Sequence, residues 1–192
     1  MTFLDWPIEQ ETLSKRAQQR RKAIAVRLID QFAGTFSEIE YDLFWDSSII
    51  NAQAWRLGSR QRVTIYGGLV RHPAITASGV ALMLAHETGH HLGGPPLDPD
   101  LRWPTWQGQA DYWAASQGMP KVFGQEAARL TLRGAKQIDA VHAEFSKIDS
   151  EPDISPQERL IIFLAGAHGK CIPTFLQESF NRMLEERNRS DD

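Results

Sequence analysis

Residues 77–96 read ASGVALMLAHETGHHLGGPP and carry His86, Glu87 and His90 in the order His-Glu-x-x-His. On a helix, side chains four positions apart share one face. His86 and His90 can therefore aim two imidazole nitrogens at one metal ion. Glu87, one position on, can hold a carboxylate beside a water molecule at an open coordination position. Neutral nitrogens, an open position and a base are what a zinc-dependent hydrolase requires. The five-residue pattern alone recurs by chance, so its setting carries the weight.

That setting is an apolar run over 79–85, which predicts a mostly buried helix. Thr76 or Ser78 can cap its start, and Gly93, Gly94, Pro95 and Pro96 supply a stop. A buried helix bearing His, Glu and His needs a partner for each polar group. A metal ion meets that demand for all three at once; the alternative is a core helix whose two histidines are satisfied separately. His91 lies about 100° around the helix from His90. It is expected to support the site or face the surface, not to share the ion.

The elements around the motif are read from periodicity. Residues 8–32 predict one long helix, with Leu13, Ala17, Ile24, Leu28 and Phe32 near helical spacing and Gly34 ending it. Its Lys15, Arg16, Arg20, Arg21, Lys22 and Arg27 read as a solvated face. Residues 49–55 and 62–66 alternate as two strands about the turn Leu57-Gly58-Ser59, and Gly67-Gly68 breaks the second. The motif helix spans 76–92. An irregular loop rich in Gly, Pro and Trp follows over 93–106, then a helix over 107–116. Residues 122–148 read as mostly helical, with an interruption at Gly134. Ser155 and Pro156 look like an N-cap and a first helical position, with helices over 157–167 and 174–187 and a frayed tail. The class is α+β: a mostly helical domain with a small sheet beside the motif helix. One domain is expected over 1–192, with a helical N-terminal segment (8–34), a site core (49–115) and a helical C-terminal part (122–187).

Composition narrows the partners. The chain has 192 residues, 42% hydrophobic and 23% charged, which is enough for one sizeable core. A formal net charge of −3 points to neither nucleic acid nor an anionic membrane. Residues 1–11 show no signal-peptide pattern, and no apolar run of about 18 residues is present. A soluble chain, cytoplasmic as it stands, is the expectation. The single Cys171 excludes an internal disulfide and reads as a structural thiol.

Zinc hydrolases use three protein ligands and leave a fourth position open. A common third ligand is a carboxylate on the next helix, here within residues 106–114, WQGQADYWA.

At this point the residues resemble a family. Asn51-Ala52-Gln53-Ala54, then Val63-Thr64-Ile65-Tyr66-Gly67-Gly68-Leu69, then Leu84-Ala85-His86-Glu87-Thr88-Gly89-His90, then Gln109-Ala110-Asp111, are similar in order and spacing to gluzincin metallopeptidases. The resemblance is to the heat-shock and CAAX-prenyl-protease type, and more so to small bacterial relatives with GHHLGG and GQADYWA signatures. It covers residues 49–115 well and 165–174 faintly. It implies a zincin-like domain that hydrolyses a peptide or protein substrate with Zn2+. His86 and His90 would bind the zinc, and Glu87 would be the general base. Asn51 and Ala52 would lie on the edge strand that pairs with an extended peptide. In the family the third ligand is a Glu four positions before the Asp of the Ala-Asp pair. Here that position is Gln107. A neutral carboxamide oxygen is a weaker ligand, so metal binding should weaken and the coordinated water become more acidic. Three readings stand open. Gln107 ligates through its amide oxygen; Asp111, one turn later, takes over; or zinc is held weakly and the chain is a degenerate relative. The family's equivalent of Asp111 orients a ligand histidine.

Other residues carry less. His168 aligns with a His of the small relatives. It could donate to a developing oxyanion, orient another group, or simply bond the last carbonyls of its helix. His142 and His72 read as structural. Trp103, Trp106 and Trp113 cluster around the site segments, first as core packing and second as a pocket wall. Those relatives carry extra cysteines near the site, whereas Ala85 precedes His86 here, so their extracytoplasmic setting does not carry over. Two functions follow: a zinc metallopeptidase, or a zincin-fold protein that has lost turnover through Gln107 and binds a peptide or protein along the strand at 51–54. The retained Glu87 favours the enzyme.

Overall fold

A computed structural model gives the structure of residues 13–145 and 154–190. The first helix, α1 (Lys15–Thr35), starts where Ser14 accepts a hydrogen bond from the Ala17 amide at 3.3 Å. It buries Ala25, Leu28 and Phe32, the stripe its spacing predicts. Residues 8–12 of the expected helix lie outside the described residues.

Three strands follow, one more than the periodicity suggested: β1 (Ile39–Phe44), β2 (Ala52–Leu57) and β3 (Arg60–Tyr66). β2 and β3 form an antiparallel hairpin about Gly58, whose φ of +61° suits a residue without Cβ. The hairpin begins at Ala52, three residues later than the sequence suggested. The unforeseen β1 runs parallel to β3, which makes β3 the central strand and β2 an edge. Its alternation of Ile39, Tyr41 and Leu43 with Glu40 and Asp42 is a period-two signal. The partner strand lies beyond an intervening hairpin strand, and no local turn announces such a pairing.

A short helix, α2 (Gly67–Arg71), leads into α3 (Ala77–Leu92), the motif helix. Every residue of α3 from Ser78 to His90 is buried. The sheet, α1 and later helices enclose it, and it forms the centre of the main hydrophobic core. Fully burying side chains such as Leu82, Met83 and Leu84 stabilises the fold by about 1.5–3 kcal/mol each.

The predicted helix at 107–116 is α4 (Gln107–Trp113), which runs on through a π turn (Ala114–Gly118) into α5 (Met119–Phe123). A left-handed Gly124 (φ +53°) and a 3-10 turn then open α6 (Ala127–Phe145). The break is therefore at Gly124, and Gly134 does not interrupt α6. A Cβ at Gly134 would stand 2.6 Å from the Ser78 carbonyl, so this glycine lets α6 close on α3. Helix α7 (Pro156–Ala167) carries the predicted cap as a full capping box, Ser155 with Glu158. Helix α8 (Phe175–Ser190) packs Leu176 and Met183 with Trp106, Ile154 and Ile162 in a second, smaller cluster. The class is α+β, mostly helical with a small mixed sheet. Among the described residues no helix is long and apolar enough to cross a membrane.

Candidate metal centre

One helical turn sets the spacing of the two histidines, and burial sets their electrostatics. The imidazoles of His86 and His90 stand 4.6 Å apart, edge to face, with their Nε2 atoms 3.1 Å from each other. On their far sides both rings meet acceptors. His90 Nδ1–H donates to the Thr105 carbonyl at 2.6 Å, and the Thr105 amide returns a bond to the His90 carbonyl. His86 Nδ1 lies 2.7 Å from Asp111 Oδ1, in a contact bent away from ideal alignment. A nitrogen against an acceptor carries the proton, so both Nε2 atoms present lone pairs to one point. Burial, with His86 beside it, pushes the His90 imidazolium form well below its ordinary range, which keeps it a neutral donor.

Two more buried oxygens lack partners, Glu87 Oε1 and Gln107 Oε1. Glu87 is fixed through its other oxygen, which accepts the Ala54 amide of β2 at 2.7 Å. Its Oε1 lies 3.9 Å from His86 Nε2. Burial raises the Glu87 carboxyl, against the opposing pull of His86 and the Ala54 hydrogen bond. Gln107 opens α4 and places its amide Nε2 3.2 Å from His90 Nε2. A half-turn of that amide exchanges its nitrogen for its oxygen. Gly89 allows α4 so close: a Cβ there would stand 2.8 Å from the Ala110 carbonyl. Among the described residues, His86, Glu87 and His90 are the group of His, Cys, Asp or Glu whose ligand atoms lie within 4.8 Å of one another. They could hold a metal ion, and the Gln107 carboxamide adds a fourth donor.

Asp111 stands elsewhere. Arg159 of α7 grips both its oxygens, Nε to Oδ2 and Nη2 to Oδ1, each at 2.7 Å. Burial alone would raise the Asp111 carboxyl, but Arg159 and His86 overcome it and hold it at about 2. The carboxylate therefore sits behind His86, on the Nδ1 side. Of the two candidates for third ligand, the structure brings Gln107 to the Nε2 atoms and leaves Asp111 in the orienting position.

β2 is an edge strand beside α3, and Asn51 and Ala52 are buried at its start. The Ala52 amide is taken by Asn51 Oδ1 at 2.8 Å, and the Ala54 amide by Glu87. His168 is exposed at the end of α7, where its Nδ1–H donates to the Leu164 carbonyl at 2.8 Å, the helix-end role. The structure gives it no bond into the centre. His91 turns away, stacked on Trp103 and donating to the Arg62 carbonyl at 2.9 Å. His142 accepts from Arg159 Nη1 at 3.3 Å, and burial, aided by Arg159, lowers it to about 3.

Three contributors escaped the sequence reading: the Ala54 amide, the Thr105 carbonyl and Arg159. Backbone groups leave no mark in residue types. Arg159 does leave one, since it opens the apolar run Leu160-Ile161-Ile162-Phe163, where a cation implies a buried partner. No protein-family model, curated protein or solved structure matches the chain.

Proposed function

We propose that this chain is a zinc-dependent metallopeptidase of the gluzincin kind, with His86 Nε2, His90 Nε2 and Gln107 Oε1 as ligands and Glu87 as general base. One observation carries the reading. The buried Nε2 atoms of His86 and His90 stand 3.1 Å apart, and Glu87 Oε1, which has no partner, lies 3.9 Å from the first of them. Such a set of acceptors calls for a cation, and two neutral nitrogens with an amide oxygen suit zinc. When bound, zinc polarises a carbonyl and acidifies a water molecule.

The protein's own groups supply the rest. The Ala54 amide locks Glu87 Oε2 and leaves Oε1 turned towards the histidines. Desolvation makes this carboxylate a stronger base than one in water, as proton abstraction requires. The substrate would be a peptide or protein, extended along the edge strand β2. The test is metal content by mass spectrometry together with cleavage of a mixed peptide library. About one zinc per chain is expected, and Glu87→Gln should keep the metal while losing cleavage. A folded protein without zinc, or a Glu87→Gln protein that cuts normally, would overturn the proposal.

A second reading is favoured by the burial of the centre, with His86 at 0% and Glu87 at 1% exposure, and by the neutral Gln107. In it the chain holds zinc and binds a peptide without turnover. Zinc without cleavage in the native chain, and cleavage regained in Gln107→Glu, would select it.

A further inference from the structure

We infer that Arg159 is a positioning residue of the centre: by clamping both oxygens of Asp111 it fixes His86 as the Nδ1–H tautomer and keeps Asp111 out of the ligand set. The inference rests on the metal-binding reading above and deepens it. Three facts meet at Arg159. It is 3% exposed, and Asp111 is fully buried. Its Nε and Nη2 take Asp111 Oδ2 and Oδ1 in a bidentate fork, both at 2.7 Å. Asp111 Oδ1 in turn lies 2.7 Å from His86 Nδ1.

The consequence follows from donor and acceptor counting. A guanidinium only donates, and a carboxylate only accepts. The fork therefore leaves Asp111 as a pure acceptor whose spare lone pair faces His86 Nδ1. That nitrogen must carry the ring proton, and Nε2 is left bare for a metal. The fork also fixes the carboxylate plane, so Asp111 cannot swing past the ring to bind the ion itself. A lysine at this position would supply the charge without the two-pronged geometry.

The experiment compares the native chain with Arg159→Lys and with the charge-neutral double variant Arg159→Met/Asp111→Asn, which strands no buried charge. Zinc affinity is read by chelator competition. The His86 tautomer in the metal-free protein is read by long-range 15N–1H NMR, a readout that simple loss of packing would not move. The native chain should show the Nδ1–H form alone. The double variant should mix tautomers, because an amide can turn either its donor or its acceptor to Nδ1. Its zinc affinity should fall about 10–100-fold, with a smaller fall in Arg159→Lys. A folded double variant with native affinity and an unchanged tautomer would overturn this role alone. A native chain that binds no zinc would overturn it together with the metal-binding reading.

Discussion

The two sides of His86 are built on opposite rules. On the Nδ1 side, Asp111, Arg159 and His142 form a chain in which donors meet acceptors at 2.7–3.3 Å. On the Nε2 side, His86 Nε2, His90 Nε2 and Glu87 Oε1 gather as acceptors with only the Gln107 amide nitrogen to donate, and Glu87 Oε1 and Gln107 Oε1 lack partners. Both sides are buried to a similar degree, so burial does not separate them. The difference is the balance of groups: the first side alternates donors with acceptors, and the second gathers acceptors. A satisfied buried network holds its members in place, whereas an unsatisfied one costs free energy until a ligand completes it. The first side is framework, and the second has the character of a binding site.

The sharpest way to break this contrast is to truncate one residue from each side. Asp111→Ala strands the buried Arg159 charge and should destabilise the fold by about 3–5 kcal/mol in denaturant unfolding. Gln107→Ala removes an oxygen that has no partner, and should change metal-free stability by about 1 kcal/mol or less while weakening zinc binding. Equal losses from the two variants would erase the distinction.

Zinc itself should act on one side only. At a free concentration of 100 times Kd it should stabilise the fold by about 2.7 kcal/mol. A chelator should reverse the rise in melting temperature. No shift in the native protein would mean that the Nε2 side is not waiting for a cation.

The smallest effect is on pH. Asp111 is held at about 2 against an ordinary 3.8, so its contribution of about 2 kcal/mol is present above pH 4. It should disappear as pH falls from about 4 towards 2. Glu87 has the opposite sign: its carboxyl is raised, so its ionisation costs stability as pH climbs above its unfolded value. Unfolding of the metal-free protein across pH should therefore show an acid loss, shared with the depressed His90 and His142, whose part below about pH 4 Asp111→Asn reduces, and a gentler loss at higher pH that Glu87→Gln abolishes.

What the sequence determined by itself is what repeats locally. The His86–His90 pair follows from helix geometry, α3 from an apolar run between a cap and a glycine-proline stop, and the β2–β3 hairpin from alternation about Gly58. The Ser155 cap and the exclusion of His91 follow from the same short-range rules. Tertiary structure decided what depends on distant partners. The parallel pairing of β1 with β3 is set by the fold, and Gly134 acts through its approach to Ser78, not through its own helix. The place of Asp111 behind His86 depends on Arg159, 48 positions further along the chain. A residue's type states what it can bond, but which bond it makes is set by the partners that folding brings within 3 Å.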